Sequence, residues 1–348
     1  MLSVSLSFFF PTQSSDEQMK VYWRILVFIL PVVGFVFACS KTDTGNPSDD
    51  PYPSVDQQRL SLINKPHVNP IRILDSIQII SDLEYLASDL CEGRKPGTVG
   101  HTLAKNRVIS QMRVNQVDSF NNSLEQRFDA FESNGTVKGT NVVGWVRGTR
   151  FPDKHIVITA HYDHLGKTTD GKVYNGADDN ASGVACILAL AKYFKNHPHS
   201  HSLIFAILDR EESGLEGAKG LVNYLDASLG LQKVVFNLNL DMIARSDYNE
   251  IFACGIRHYP SYRYLVDETQ NKTNVKLLMG HDYGSSGDNW TMYSDHYAFH
   301  QENIPFLYIG VEDHSDYHAT TDDVEKINYS KFIENCNMIA LLLQAFKN

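Results

Sequence analysis

Four places in this chain put a side chain that can hold a metal ion directly behind a short apolar run. His161 follows Ile158-Thr159-Ala160, Glu211 and Glu212 follow LIFAILDR, Asp241 follows VFNLNL, and the segment from His314 to His318 comes shortly after FLYIG. Ligands of open α/β sheets collect beyond the carboxyl ends of parallel strands, so four such ends carrying imidazole or carboxylate point to one shared site. Imidazole mixed with carboxylate suits Zn2+, whereas Ca2+ or Mg2+ would draw mainly on oxygen ligands. Asp163 stands two residues beyond His161. If the strand continues, its carboxylate points the same way and can orient or partner the imidazole. Asp178 and Asp179 precede the helical pattern ASGVACILALAKYF, where carboxylates are favoured whether they cap the helix or hold a cation.

The elements that would position these groups are legible from periodicity. Ile156 to Ala160 is β-branched and free of charge, the signature of a strand buried on both faces of a parallel sheet. Extended runs are expected near 126–131, 140–147, 202–208, 234–240 and 305–309. Helices are expected near 77–88, 102–117, 217–224 and 329–346, with a Gly- and Pro-marked loop at 91–97. Strands alternating with helices predict an α/β fold, a mostly parallel central sheet with helices on both faces.

Composition bounds the alternatives. A chain of 348 residues with 43% hydrophobic content can bury a large core, and its net charge of -10, with no concentrated Lys or Arg, excludes a general nucleic-acid binder. The basic start Lys20 to Arg24 and the apolar run Ile25 to Ala38 read as an export signal, too short for a membrane span. Residues 1–18 read as an upstream start that need not be translated. Val36-Phe37-Ala38-Cys39 resembles a bacterial lipobox, with Phe37 larger than the usual residue. On that reading 1–38 is a signal segment and Cys39 a lipidated first residue that attaches an exported protein to a membrane, on the periplasmic or cell-surface side. An ordinary signal peptide with an incidental cysteine is the competing reading. Residues 39–70, rich in Pro, Ser, Asp and Asn, are expected to be a flexible tether, and 71–348 the catalytic domain. Cys91, Cys186, Cys254 and Cys336 form no metal-binding spacing, and Cys186 lies in a helical apolar pattern as core filler.

At these same residues the sequence resembles the co-catalytic zinc aminopeptidases, a family that includes bacterial leucyl aminopeptidases and has glutamate carboxypeptidase II and glutaminyl cyclase as relatives. The segments that carry the resemblance are HYDHLG, GADDNASG, DREESGLEGA, NLDMIAR, SDHYAF and DYHATTDDVEKI, all in the family's order, with a looser match at LASDLCEGRKPGTVG. The resemblance implies a phosphorylase/hydrolase-like zinc exopeptidase sandwich and two Zn2+ ions. One ion would be held by His161 and Asp241 and the other by Glu212 and His318, with Asp179 bridging them and Asp178 a helix-start group. It implies Glu211 as general base on a water activated between the ions, Asp163 as the carboxylate behind the first histidine, and a peptide as substrate. The implied activity is removal of N-terminal residues. A carboxypeptidase, a glutaminyl-peptide cyclase-like transferase and a non-catalytic binding ectodomain are the other readings. Decay to a binding module would have replaced members of the ligand set, and none is missing. The family's carbonyl-polarising tyrosine has two candidates, Tyr283 and Tyr293, and the sequence leaves them and the oligomeric state open.

The remaining histidines carry weaker readings. His197, His199 and His201 could chelate a metal but sit in a connecting segment expected to be solvated. His314 is a neighbour of the ligand His318, and His164 a group behind the ligands or at the surface. His296 and Asp295 shape the pocket or the core.

Overall fold

The computed structural model describes residues 52–132, 135–246, 248–283 and 288–347. The expected signal segment, Cys39 and the first part of the expected tether lie outside the described residues. Pro53–Asn348 forms one compact unit. Its strands are β1 (Asp118–Ser119), β2 (Glu125–Glu132), β3 (Gly135–Val146), β4 (Phe151–His161), β5 (His201–Leu208), β6 (Val234–Leu240), β7 (Glu250–Cys254), β8 (Lys276–Met279) and β9 (Phe306–Gly310). Helices α1 (Val55–Leu62), α2 (Ser76–Leu86), α3 (Val99–Val114), α4 (Gly183–Asn196), α5 (Glu216–Leu229), α6 (Arg263–Gln270), α7 (His296–Gln301) and α8 (Tyr329–Ala345) complete it.

The strands form one sheet in the order β1-β3-β5-β4-β6-β9-β7-β8, with β2 paired to β3. β4 lies at the centre, and every residue from His155 to His161 is buried. Its neighbours β5 and β6 both run parallel to it, with Ile158 opposite Phe205 on one side and Leu238 on the other. β9 extends this parallel block beyond β6. The expectation of a mostly parallel sheet holds for these middle four strands and needs correction at the flanks. There β3 runs antiparallel to β5 and β7 antiparallel to β9, so the sheet as a whole is mixed. The reason is connection length. β3 reaches β4 through four residues, too few for the crossover that a parallel return requires.

Helices cover both faces. On one, Val157, Ile204, Ala206 and Leu208 pack with Ala218, Leu221 and Leu225 of α5 and with Phe299 of α7. On the other lies the start of α4. A side chain at Gly183 would come within 2.6 Å of Leu240 O and 3.1 Å of the Ala160 Cβ, so only glycine lets the helix begin this close to the strand ends. Cys186 is buried in α4 as expected, and Cys91, Cys254 and Cys336 are likewise buried, free thiols.

The expected tether ends earlier than its composition suggests. Ser54 and Gln57 form a reciprocal capping box at the start of α1. The Gln58 side chain then mimics a peptide group against the edge strand β8, donating to Met279 O at 2.7 Å and accepting from Met279 N at 2.8 Å. Val68 N donates to Asn274 Oδ1 at 2.9 Å. The folded unit therefore begins at Pro53 rather than at residue 71, because polar residues that look like linker are spent on capping and on pairing a sheet edge. Among the described residues no helix is long and apolar enough to cross a membrane.

Candidate metal centre

The four strand ends meet. β4 finishes on His161; Glu211 and Glu212 follow β5, Asp241 follows β6, and the segment bearing His318 follows β9. These are the carboxyl ends of the parallel block, which face one edge of the sheet. His161 Nε2 lies 3.3 Å from Asp179 Oδ1 and 3.2 Å from Asp241 Oδ1. His318 Nε2 lies 3.2 Å from Asp179 Oδ2 and 3.4 Å from Glu212 Oε2. Asp179 thus turns one oxygen toward each group. Zinc bound tetrahedrally at its usual bond lengths spaces neighbouring donor atoms by about 3.3 Å, so all four distances fit two donor sets that share one carboxylate.

The two adjacent acids have different fates. Asp178, expected as a helix-start group, caps nothing: α4 begins at Gly183, whose N–H is accepted by Asn180 Oδ1 at 3.0 Å. The Asp178 carboxylate instead accepts from Ala244 N at 2.6 Å and lies 3.1 Å from His314 Nε2. His314, expected as a neighbour of His318, is half-buried and meets Asp178 rather than the donor sets around Asp179. Asp163 also does more than stand behind His161. His161 Nδ1 is closest to the Asp163 backbone oxygen, at 3.2 Å, with the carboxylate at 3.7 Å. The Asp163 carboxylate accepts Glu211 N at 3.0 Å and Glu212 N at 3.3 Å, tying the glutamate pair to the end of β4.

Two positioning residues escaped the sequence reading. Arg94, from the loosely matching loop, is fully buried and spends its guanidinium on backbone oxygens: Tyr162 at 2.9 Å, Leu86 at 2.8 Å, Asn175 at 2.5 Å, Gly176 at 2.9 Å and Asp179 at 3.1 Å. It joins the turn after His161 to the loop that presents Asp179. Gly176, at φ 55°, makes this possible, because a Cβ there would lie 2.7 Å from Arg94 Nη2. Asp322 accepts the N–H groups of both Asp178 and Asp179, at 3.0 and 3.1 Å. Its signal was the acid pair in HATTDDVEKI, but nothing in sequence ties it to residues more than a hundred positions earlier. Ser294 donates to Asp241 Oδ2 at 2.6 Å. Asp295 beside it is fully buried, and neither of its carboxylate oxygens meets a partner.

The electrostatics of these side chains match this geometry. Burial alone would raise Asp179, yet His164, His161 and His318 hold it well below the usual carboxylate range. Glu212 is brought down to about 2 by His164 and His318, against burial. Burial would lower His161, but Asp241, Glu211 and Asp179 hold it well above its ordinary value, and His318 is pushed up to about 10 by Asp179 and Glu212. Glu211 is driven well up by burial and by the charges of Asp295, Asp241 and Glu212, with His161 opposing, and Asp295 rises to about 8, chiefly through burial.

Above the carboxylates opens a cavity of about 340 Å³, lined by His161, Asp179, Glu211, Asp241 and His318 below and by Trp290, Tyr293, Tyr308 and Tyr317 among its walls. Of the two tyrosine candidates, Tyr293 reaches this cavity, while Tyr283 lies against the Arg257 guanidinium at 4.8 Å. Tyr317, which the sequence reading passed over, stacks on the His318 ring at 3.9 Å. Of the remaining histidines, two depart from expectation, while exposed His197 and buried His296 do not. His199 and His201 are buried rather than solvated, and His197 stacks on Tyr193 at 4.5 Å. His296 is buried and bonds Trp290 O at 3.1 Å.

An α/β sheet with this donor set at its strand ends has the fold of the zinc exopeptidases. It superposes on a leucine aminopeptidase precursor from Bacteroides thetaiotaomicron (TM-score 0.63, 16% identity, 81% of this chain and 100% of that one). A glutaminyl cyclase from the same organism fits equally well (TM-score 0.63, 16% identity, 80% of this chain and 100% of that one). The sequence profile of peptidase family M28 matches residues 141–343, more than half of the chain, and the protein belongs to that family. Among curated relatives it is 36% identical over 115 residues to a "Probable zinc metalloprotease" of Pyricularia oryzae, covering 32% of this chain and 22% of that protein. It is 27% identical over 218 residues to aminopeptidase YwaD of Bacillus subtilis, covering 60% of this chain and 45% of that protein. The chain thus spans less than half the length of these two relatives.

Proposed function

We propose that this M28 chain is a zinc metallopeptidase that holds two zinc ions and acts as an aminopeptidase, removing residues from the N-terminus of peptides. The observation that carries this reading is Asp179, whose two oxygens face separate donor sets, His161 with Asp241 and Glu212 with His318. Zinc held there supplies Lewis acidity, which lowers the pKa of water and polarises a carbonyl. The protein does the rest. Glu211, lining the cavity with its backbone pinned by Asp163, takes the proton of the attacking water and returns it to the departing amine. Tyr317, on the cavity wall beside His318, donates its hydroxyl to the developing oxyanion. The carboxylate-rich floor favours a free amino terminus, and Trp290, Tyr293 and Met242 give the first side chain apolar surface. The YwaD likeness favours cleavage over cyclisation, since the cyclase likeness is one of fold alone.

Export and attachment through a lipidated Cys39 belong to the same proposal and rest on the sequence. Cys39→Ala is expected to move the protein out of the membrane fraction.

The decisive assay is a peptide library read by mass for which terminus is shortened. Loss of single N-terminal residues supports the proposal. Loss from the C-terminus, or loss of ammonia from N-terminal Gln peptides without shortening, replaces it with a carboxypeptidase or a cyclase. Glu211→Gln should retain zinc and lose nearly all turnover, and full activity in that variant would remove Glu211 from the base role.

A further inference from the structure

His164 stands out among the groups around the metal centre because its distances differ in kind from those of its neighbours. The ring is buried, and its Nδ1 lies 2.8 Å from Glu212 Oε1 and 3.8 Å from Asp179 Oδ2. The donor pairs around the two cation positions are separated by 3.2 to 3.4 Å, close to the edge of a zinc tetrahedron. His164 departs from that spacing in both directions. It is too close to Glu212 to be a fellow ligand and at ordinary hydrogen-bond length for an N–H donating to a carboxylate, while Asp179 is out of bonding reach. The two Glu212 oxygens are also differentiated. Oε2 faces His318 at 3.4 Å, and Oε1 faces His164.

We infer that His164 is a positioning residue for the second cation: its Nδ1–H holds Glu212 Oε1, so that Glu212 presents Oε2 alone to the metal. The surroundings fix the ring for this task. Its backbone N–H donates to Arg94 O at 3.3 Å, and a Cβ on Gly176 would lie 2.6 Å from its Cδ2, so the imidazole fills a slot that glycine leaves open. Asp163, one residue earlier, accepts the Glu212 backbone N–H at 3.3 Å. One turn after β4 therefore grips Glu212 at both its backbone and its carboxylate. A carboxylate free to swing offers a cation one or two oxygens and spends entropy on the choice; one tied through Oε1 does not. At Asp241, whose Oδ1 faces His161, the other oxygen is held by the Ser294 hydroxyl instead.

This inference rests on the two-zinc reading, and the test separates the two. Full-length protein is stripped of metal, titrated with Zn2+ against a chromophoric chelator, and examined in parallel as the Co2+ form by visible absorption. Wild-type protein that binds fewer than two ions overturns the two-zinc reading, and with it a second cation for His164 to serve. Given two ions, His164→Leu is expected to weaken one of them by about ten- to a hundredfold, the range for lost partners of ligands, to leave the other unchanged, and to shift one Co2+ band. His164→Asn places an amide N–H where Nδ1 stood and is expected to recover most of that affinity and the wild-type band. Two unchanged affinities in His164→Leu overturn the inference, as does an Asn variant no better than Leu. Should the Leu variant not fold, nitrogen-15 NMR of the zinc-loaded wild type decides. A proton on His164 Nδ1 supports the role, and a bare or metal-shifted Nδ1 refutes it.

Discussion

Asp178 and Asp179 are chemically identical neighbours, and what separates them is the partner each one meets. Asp178 faces Ala244 N and His314, while Asp179 faces His161 and His318. Tyrosines divide in the same way: Tyr283 is spent on Arg257, whereas Tyr317 stands on the cavity wall against His318. A hydroxyl that acts only on charge developing in the transition state should affect turnover more than binding. Tyr317→Phe is therefore expected to lower kcat by about 10²- to 10³-fold, with KM and zinc content near wild type. Steady-state kinetics with metal analysis checks this, and an unchanged kcat would leave Tyr317 as a wall of the pocket only.

At the scale of elements, the start of β5 carries its own consequence. His201 is buried where its ring meets Phe151 at 5.1 Å and Phe346 at 5.2 Å, and His199 lies beside it at 5.5 Å. Burial, with His199 and Lys154 adding, lowers His201 from 6.5 to about 4. The folded state therefore prefers the neutral ring. As pH falls through 6.5 the unfolded chain takes up a proton that the folded chain refuses until about 4, so the stability contributed above 6.5 is lost across that window. Melting temperature should fall between pH 6.5 and 4, and His201→Phe should flatten the slope. An identical slope in the variant would place the acid sensitivity elsewhere. The H-x-H-x-H run looked like solvated loop because Asn and Pro surround it. Pairing of its last residue with β4 and packing against the chain end bury His199 and His201 instead, while His197 stays exposed.

For the whole molecule, the metal centre links cation binding to protons. Asp179 and Glu212 push His318 up to about 10, and Asp241, Glu211 and Asp179 hold His161 well above its ordinary value, so both side chains favour a proton where no cation is bound. Zinc needs the bare imidazole of both. Loading two ions near pH 7 is expected to release roughly two protons per chain, and apparent zinc affinity should rise with pH. Calorimetry in buffers of different protonation enthalpy measures that number, and no dependence on buffer would mean the histidines are already neutral. Removing the ions should also lower the melting temperature, since binding to the folded state alone stabilises it.

The order of apolar runs and ligand-type residues was enough to specify the parallel core of the sheet, the convergence of His161, Asp241 and the glutamate pair at its carboxyl edge, and the family. These features are local or periodic, and a strand that must be buried on both faces announces itself in its own residues. The antiparallel flanks, the docking of 53–70 beside β8, the grip of Arg94 and Asp322 on the Asp179 loop, the contact of His314 with Asp178, and the place of Tyr317 on the cavity wall were decided only in three dimensions. Each depends on which distant backbone oxygen, N–H or ring comes within about 3 to 4 Å, a contact distance that residue type and spacing along the chain do not encode.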